Sequence, residues 1–339
     1  MSLPLLRAIS KWAEGRFVVR VIFESSQHVD LIREEGLNII PVCSPYRPIW
    51  KQVINLRKVW KAGADLVIGV PGVSADKIFL LSTALRARYT TGEVFPNDRN
   101  RLSFPVMGGW TKSILKINQE IAEALGIEGP LGTPSITVTP DEISWSESVL
   151  TDSGLAQRSP LIGLHCSSIM PSKKWPPKYF ADVLWGLKES APDLAGISFG
   201  TQSERSESEQ VRALAPNVNW LEGCGQWNIR QSVSMLKACD VLISGDTGLM
   251  HMAAAVGTKT VSIFGPSSTE RLAPTYNGGV ALHPNTPCHP CLRRKWTPCS
   301  CILTVAPEHV IAAVKSCLAQ ERLAILTDES CVGSTRFVS

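Results

Sequence analysis

Residues 244–274, SGDTGLMHMAAAVGTKTVSIFGPSSTERLAP, constrain the fold more than any other stretch of the chain. Val241–Ser244 reads as a short buried strand, Leu249–Val256 as a helix stopped by Gly257, and Lys259–Phe264 as the next strand. Strand, helix and strand in that order predict a parallel sheet with helices crossing over it. Asp246, Thr247 and Gly248 then stand at the carboxyl end of a strand and the N-terminus of a helix, where backbone N–H groups and the helix dipole favour an anion. His251 follows one turn inside that helix, within reach of the same anion. Taken singly, Asp246 is also a good helix N-cap and His251 an ordinary packed histidine, so the weight rests on the whole string.

That string, DTGLMHMAAAVGT followed by a strand and FGPSSTERLAP, resembles the sugar-nucleotide end of glycosyltransferase family 9, the heptosyltransferase family. The resemblance implies that Asp246, Thr247, Gly248 and His251 line a pocket for the diphosphate and sugar of a donor. Upstream, Pro160–Cys166 reads as a strand leading into SSIMPSKKWPPKYFADVLWGL, where Pro176 and Pro177 suit a helix start and Phe180, Val183, Leu184 and Leu187 keep helical spacing. The family carries a lysine two residues before a Trp-Pro here, and Lys173, before Trp175-Pro176, matches it. A lysine beside a helix N-terminus is a natural partner for a diphosphate, whereas Lys174 reads as solvated surface. Gly196–Gly200 reads as a strand, and TQSERSESEQ after it places Glu204 and Glu207 near the family's position for a glutamate that holds the donor's ribose. Of the two, Glu204 is preferred; a charged run of this kind otherwise marks a solvated loop.

Composition agrees with two α/β domains. With 339 residues and 44% hydrophobic content the chain can build two cores, and a net charge of +4 without a Lys/Arg-rich block argues against a nucleic-acid partner. No apolar run reaches the length of a membrane span and no secretory signal opens the sequence, so a cytoplasmic location is expected, with room for peripheral contact at the inner face of the inner membrane. The first half reads as strand Phe17–Ile22, helix Val29–Glu35, strand Leu37–Val42, helix Ile49–Ala62, strand Asp65–Val70, a helix near Lys77–Leu85 and a helix over Thr111–Leu125. GIEGPLGTP then opens the interdomain region, with Ser135–Val138 and a helix after Pro140-Asp141 open to either side. The expected division is an acceptor-side Rossmann-like domain over 1–150, a nucleotide-sugar-binding Rossmann-like domain over 151–326, and a tail over 327–339. Two such domains facing each other across a cleft form the GT-B arrangement, which the family resemblance also implies.

MSLPLLRAISKWAEG opens as a helix, with Ser2 able to cap, Pro4 in the first turn, Leu3, Leu6 and Ile9 on one face and Gly15 to end it. A doubly wound domain normally begins with a strand. The segment Met1–Ile9 resembles the family's helix that follows a strand and a Gly-Asp turn, and the family's proposed catalytic base is the Asp of that turn. The expectation is therefore a shortened N-terminus that lacks this strand and base, binds donor and transfers poorly, and the catalytic residues of the chain stay unassigned.

Of the ten cysteines, Cys43, Cys166, Cys224, Cys239, Cys317 and Cys331 lie apart and read as reduced thiols. Cys288, Cys291, Cys299 and Cys301 fall together as Cys-x2-Cys, seven residues, then Cys-x-Cys. Four thiolates so close suit a structural zinc or iron, and in a cytosolic chain metal is favoured over disulfides; reduced thiols without metal remain an alternative. Relatives in the family that modify autotransporter proteins hold an iron with cysteines here, which leans the resemblance toward iron. No catalytic metal is expected.

The reading that results is an inverting glycosyltransferase that moves a sugar, a heptose from ADP-heptose by the resemblance, to a lipopolysaccharide-core or protein acceptor. Two rivals stand beside it: a non-catalytic, degenerate sugar-nucleotide-binding paralogue, and a metal-braced oligomeric scaffold. A dinucleotide dehydrogenase is poorly supported, because no G-x-G-x-x-G follows an early strand.

Overall fold

The structure is a computed structural model, and it describes residues 1–23, 25–43, 61, 63–96, 98, 101–286, 289–291 and 300–326. The chain divides into two compact units, Met1–Ser135 and one that begins at Ile136. The expected tail over 327–339 and the expected helix over Ile49–Ala62, Lys61 apart, lie outside the described residues.

The first unit opens with α1 (Leu3–Ala13), which has Pro4 in its first turn. Ser2 holds the N-cap position but makes no capping bond to the helix, against expectation. Two parallel strands follow, β1 (Arg20–Phe23) and β2 (Ile40–Cys43), joined through α2 (Ser26–Leu31). A three-stranded parallel sheet contains β3 (Leu66–Ile68), β4 (Tyr89–Val94) and β5 (Phe104–Met107) in that order. Helix α3 (Ala75–Leu85) makes the crossover between β3 and β4, its start fixed by the Ser74 hydroxyl accepting from the Lys77 N–H. Ile78 and Leu85 of α3 pack with Val67 and Val94 on one side of this sheet. On the other, Leu5 and Ile9 of α1 meet Val106 of β5 and Ile117 and Ile121 of α4 (Ile114–Ala124). The strands β4 and β5 have no counterpart in the sequence reading.

The second unit begins with α5 (Pro140–Asp152), entered through a Thr139–Glu142 capping box. This division falls before the boundary expected at residue 150 for a physical reason: Arg230 of α8 (Ile229–Ala238) donates to both carboxylate oxygens of Glu142, at 2.7 and 2.6 Å, and ties α5 into the second unit. Of Ser135–Val138, open to either side in the sequence, Ile136 onward falls in the second unit, where the Ile136 N–H donates to the Ala255 carbonyl at 2.8 Å. The remaining elements are β6 (Leu161–His165), α6 (Pro177–Lys188), β7 (Ala195–Ser198), α7 (Arg205–Leu214), β8 (Asn219–Leu221), β9 (Val241–Gly245), α9 (Gly248–Ala255), β10 (Lys259–Ile263), α10 (Thr269–Leu272), β11 (Val280–Leu282) and α11 (Pro307–Leu326). Six strands form one parallel sheet in the order β11-β10-β9-β6-β7-β8.

The central strands of this sheet are buried on both faces, which is why β6 and β9 read as largely apolar runs. Ile162, Leu164, Val241, Ile243, Val261 and Ile263 pack with Phe180 and Leu184 of α6 and with Val310 and Val314 of α11. From β6 the chain winds outward to β7 and β8, then returns to lay β9 on the other side of β6. The reversal point lies at the carboxyl ends of β6 and β9, the place where open parallel sheets bind ligands. Among the described residues no helix is long and apolar enough to cross a membrane.

Candidate functional site

The loop after β6 carries Lys173, and the turn after β9 carries Asp246. They are 73 residues apart in sequence, yet the Lys173 ammonium donates to Asp246 Oδ2 at that reversal, with side chains only 13% and 8% exposed. A lysine and a carboxylate this sheltered are held by each other and by little water, so the pair is stiff. The pairing also decides how Asp246 is used. It does not cap α9: Thr247 takes the N-cap position, makes no side-chain capping bond, and its hydroxyl lies 3.1 Å from the Ser244 hydroxyl. The first N–H groups of α9 are therefore not covered by a capping side chain. Gly248 opens the helix with empty space where a Cβ would project, so a ligand can approach the backbone closely.

His251, one turn into α9, is deeply buried, and burial holds its pKa down to about 4; the Lys173 ammonium adds to the effect and the Asp246 carboxylate opposes it. The ring is neutral at pH 7. Its Nδ1 meets no hydrogen-bond partner among the described residues. Lys173, Asp246, Thr247, Gly248 and His251 are thus brought to one place.

Glu204 stands a strand further along, in the short 3₁₀ turn Gln202–Glu204 after β7. One carboxylate oxygen accepts from the Thr201 N–H and hydroxyl, at 2.8 and 2.9 Å, and the other lies 3.4 Å from Nε2 of His165. The His165 hydrogen bond is the largest reason that the Glu204 pKa falls to about 2, so this carboxylate is ionised through the physiological range. Glu207 faces differently: it accepts from Ser167 at 3.3 Å and from Lys174 at 2.7 Å. Lys174, expected as solvated surface, is 44% exposed at its side chain and joins this outer pair.

Sequence reasoning missed His165. It ends β6, 5% exposed, as the polar terminus of a run read as apolar, and position at the carboxyl end of a central strand was the available signal. In the sequence Trp175 serves only to locate Lys173. It is 3% exposed, its Nε1 donates to the Val305 carbonyl at 2.9 Å, and its ring meets Tyr179 and Phe180 edge-on. These contacts fix the loop that carries Lys173.

Of the four clustered cysteines, Cys288 and Cys299 lie outside the described residues. Among the described residues no group of three or more His, Cys, Asp or Glu side chains is placed to hold a metal ion. The segments of Cys291 and Cys301 nonetheless meet one turn. The Cys291 N–H donates to the Pro266 carbonyl at 2.8 Å, His289 Nδ1 lies 3.1 Å from the Gly265 carbonyl, and a Cβ on Gly265 would lie 3.4 Å from Ile302 and 2.6 Å from the Ser172 carbonyl. The cysteine-bearing segments therefore back the loop that presents Lys173. Elsewhere, Cys166, Cys224 and Cys239 are buried, and burial pushes their thiols up, keeping them protonated.

Over 315 residues, 91% of this chain and 89% of the other, the sequence is 24% identical to Lipooligosaccharide heptosyltransferase 2 of Campylobacter jejuni subsp. jejuni serotype O:2. Among solved structures, the glycosyl transferase family 9 protein from Veillonella parvula DSM 2008 matches with a TM-score of 0.75 at 17% identity, covering 94% of each chain. The E. coli ADP-heptose lps heptosyltransferase II matches with a TM-score of 0.69 at 18% identity, covering 95% of each. The fold is accordingly the α/β GT-B fold of glycosyltransferases. The family profile described as "Glycosyltransferase family 9 (heptosyltransferase)" matches residues 83–299, and the chain belongs to that family.

Proposed function

We propose that the chain is an inverting transferase that takes a heptose from ADP-heptose and passes it to a hydroxyl of a lipopolysaccharide-core or protein acceptor. The observation that carries this reading is the Lys173–Asp246 pair beside the uncapped N-terminus of α9, at the reversal point of the second sheet. In the reaction an acceptor oxygen bonds to the anomeric carbon, the bond from that carbon to the diphosphate oxygen breaks, and ADP leaves with the electron pair. A base takes the acceptor's proton. Charge grows on the leaving diphosphate, and Lys173 and the N–H groups at Thr247 and Gly248 meet it; the chain's own cation does this work without a catalytic divalent ion. Neutral His251 offers a hydrogen bond to the sugar or the phosphate, and ionised Glu204 takes the ribose hydroxyls. The name of the E. coli neighbour, an ADP-heptose heptosyltransferase, supports the donor, and that of the Campylobacter relative supports a lipooligosaccharide-type acceptor. Such a donor and acceptor meet on the cytoplasmic side of the inner membrane, where the chain would act.

The test is incubation with ADP-heptose and heptose-deficient lipopolysaccharide core, following ADP release and acceptor mass. The expected result is one heptose gained per ADP released. Donor binding with neither transfer nor hydrolysis would return the chain to the non-catalytic reading.

The same proposal includes a structural metal, iron or zinc, held by Cys288, Cys291, Cys299 and Cys301. Such a metal would cross-link the loop against Gly265 and leave no coordination position for chemistry. The convergence of the Cys291 and Cys301 segments on the turn behind Ser172 supports it. Elemental analysis of purified protein is expected to find about one metal per chain. Replacing Cys288 and Cys291 by Ser should remove it and lower Tm while changing ADP affinity less than loss of Lys173 does. Metal-free protein with full thermal stability would overturn this part.

A further inference from the structure

The first unit carries a feature at its own ligand edge that the donor site does not use. Phe95 follows β4 and Trp110 follows β5, so both stand at the carboxyl ends of adjacent parallel strands, the edge where α/β sheets place ligands. Their rings pack against each other, centroids 4.5 Å apart and inclined at 37°. Trp110 remains 53% exposed, and Met107 beside it 52%.

The loops that hold these rings are fixed from below. Asp98 accepts from the Phe95 N–H at 2.9 Å, and the Gly108 N–H donates to the Val94 carbonyl at 2.8 Å. Lys112 donates to the Met107 carbonyl at 2.6 Å and pairs with Glu120 at 2.5 Å. Glu93, 2% exposed, accepts from the Gly72 N–H at 3.1 Å, and its carboxylate lies so close to Gly108 that a Cβ there would meet it at 2.3 Å. Glu93 thus ties the loops after β3 and β5 to β4, and Gly108 is the residue that lets the second of them approach. The exposed Trp110 ring and the half-buried Phe95 ring, on braced loops, have little conformational freedom left to lose when a ligand stacks on them.

We propose that Phe95 and Trp110 form a stacking platform for a sugar ring of the acceptor glycan. A pyranose presents a face of C–H bonds edged by hydroxyls, which suits an exposed indole beside a polar loop that carries the exposed Asp98 better than an acyl chain does. The platform lies on the ligand edge of a unit in a glycosyltransferase, an enzyme class whose acceptors are commonly saccharides. The proposal rests on the transferase reading for the identity of the glycan, but its binding step stands apart from catalysis.

The experiment is saturation-transfer NMR on the full chain with deacylated, heptose-deficient lipopolysaccharide-core oligosaccharide. Wild type is expected to transfer saturation to the ring C–H protons, Trp110→Ala to lose the signal, and Trp110→Phe to recover most of it. In the transfer assay, Trp110→Ala should raise the acceptor KM about tenfold, the scale of one lost stacking contact, with ADP affinity unchanged as the check on folding. No saturation transfer in wild type, or equal transfer in Trp110→Ala, overturns the proposal. So does a Trp110→Ala chain that loses only its binding to vesicles of phosphatidylethanolamine and phosphatidylglycerol, since that result makes the patch a membrane contact. A chain that binds the oligosaccharide through Trp110 yet transfers nothing would remove the proposed activity and leave the platform standing.

Discussion

Lys173→Ala is expected to weaken ADP binding by about 1.5–3 kcal/mol, roughly 10–150-fold in Kd, the scale of a lost charged hydrogen bond. Two effects add in that variant. The diphosphate loses its side-chain cation, and Asp246, 8% exposed at its side chain, is left as a carboxylate without that partner beside an anionic ligand. Asp246→Ala should also change affinity, because Asp246 holds the lysine in place. Since the two side chains touch, their effects should not add, and the double variant should bind ADP no worse than the sum of the single losses. Calorimetry with ADP measures all three. Unchanged affinity in both single variants would sink the donor-site assignment, whatever the transfer assay shows.

The parts of this site that could be read from sequence are those where local chemistry and strand–helix order coincide. Asp246, Thr247, Gly248 and His251 follow one another across a strand end and a helix start, so their proximity is dictated by the chain itself. Lys173 is placed by its distance from Trp175-Pro176, a helix-start signal. That Lys173 pairs with Asp246 could not be read, because it depends on β6 and β9 becoming neighbours after the chain has wound outward through β7 and β8. The same holds for His165 and Glu204, which meet only because β6 and β7 lie side by side.

The first unit was less legible for a different reason. Strand β4 is YTTGEV, with a glycine and a glutamate inside it, and β5 is FPVM, with a proline that removes a backbone donor. Neither shows the apolar continuity of β6 and β9. Thr91 makes good part of the polarity by donating its hydroxyl to the Phe104 carbonyl at 2.7 Å, and Glu93 by its bond with Gly72. Tertiary contacts have overridden weak strand propensity, and the residues that make those contacts also brace the ligand edge.

Trp175→Ala is expected to cost about 3–5 kcal/mol of stability, the range for removing a large buried aromatic ring. The loss has named components: the edge-on contacts with Tyr179 and Phe180, a cavity in the core of the second unit, and a Val305 carbonyl deprived of the indole N–H donor. Urea unfolding should show a lower midpoint, and a variant as stable as wild type would contradict the placement of the ring. Trp175→Phe keeps most of the apolar volume and loses the N–H, so it should stay folded and allow calorimetry. Its ADP affinity should fall although Lys173 and Asp246 are both present, because this side chain helps to hold the loop that presents Lys173 from behind. A fall in ADP affinity in Trp175→Phe comparable to that of Lys173→Ala would mean that the position of the ammonium, and not its charge alone, makes the pocket.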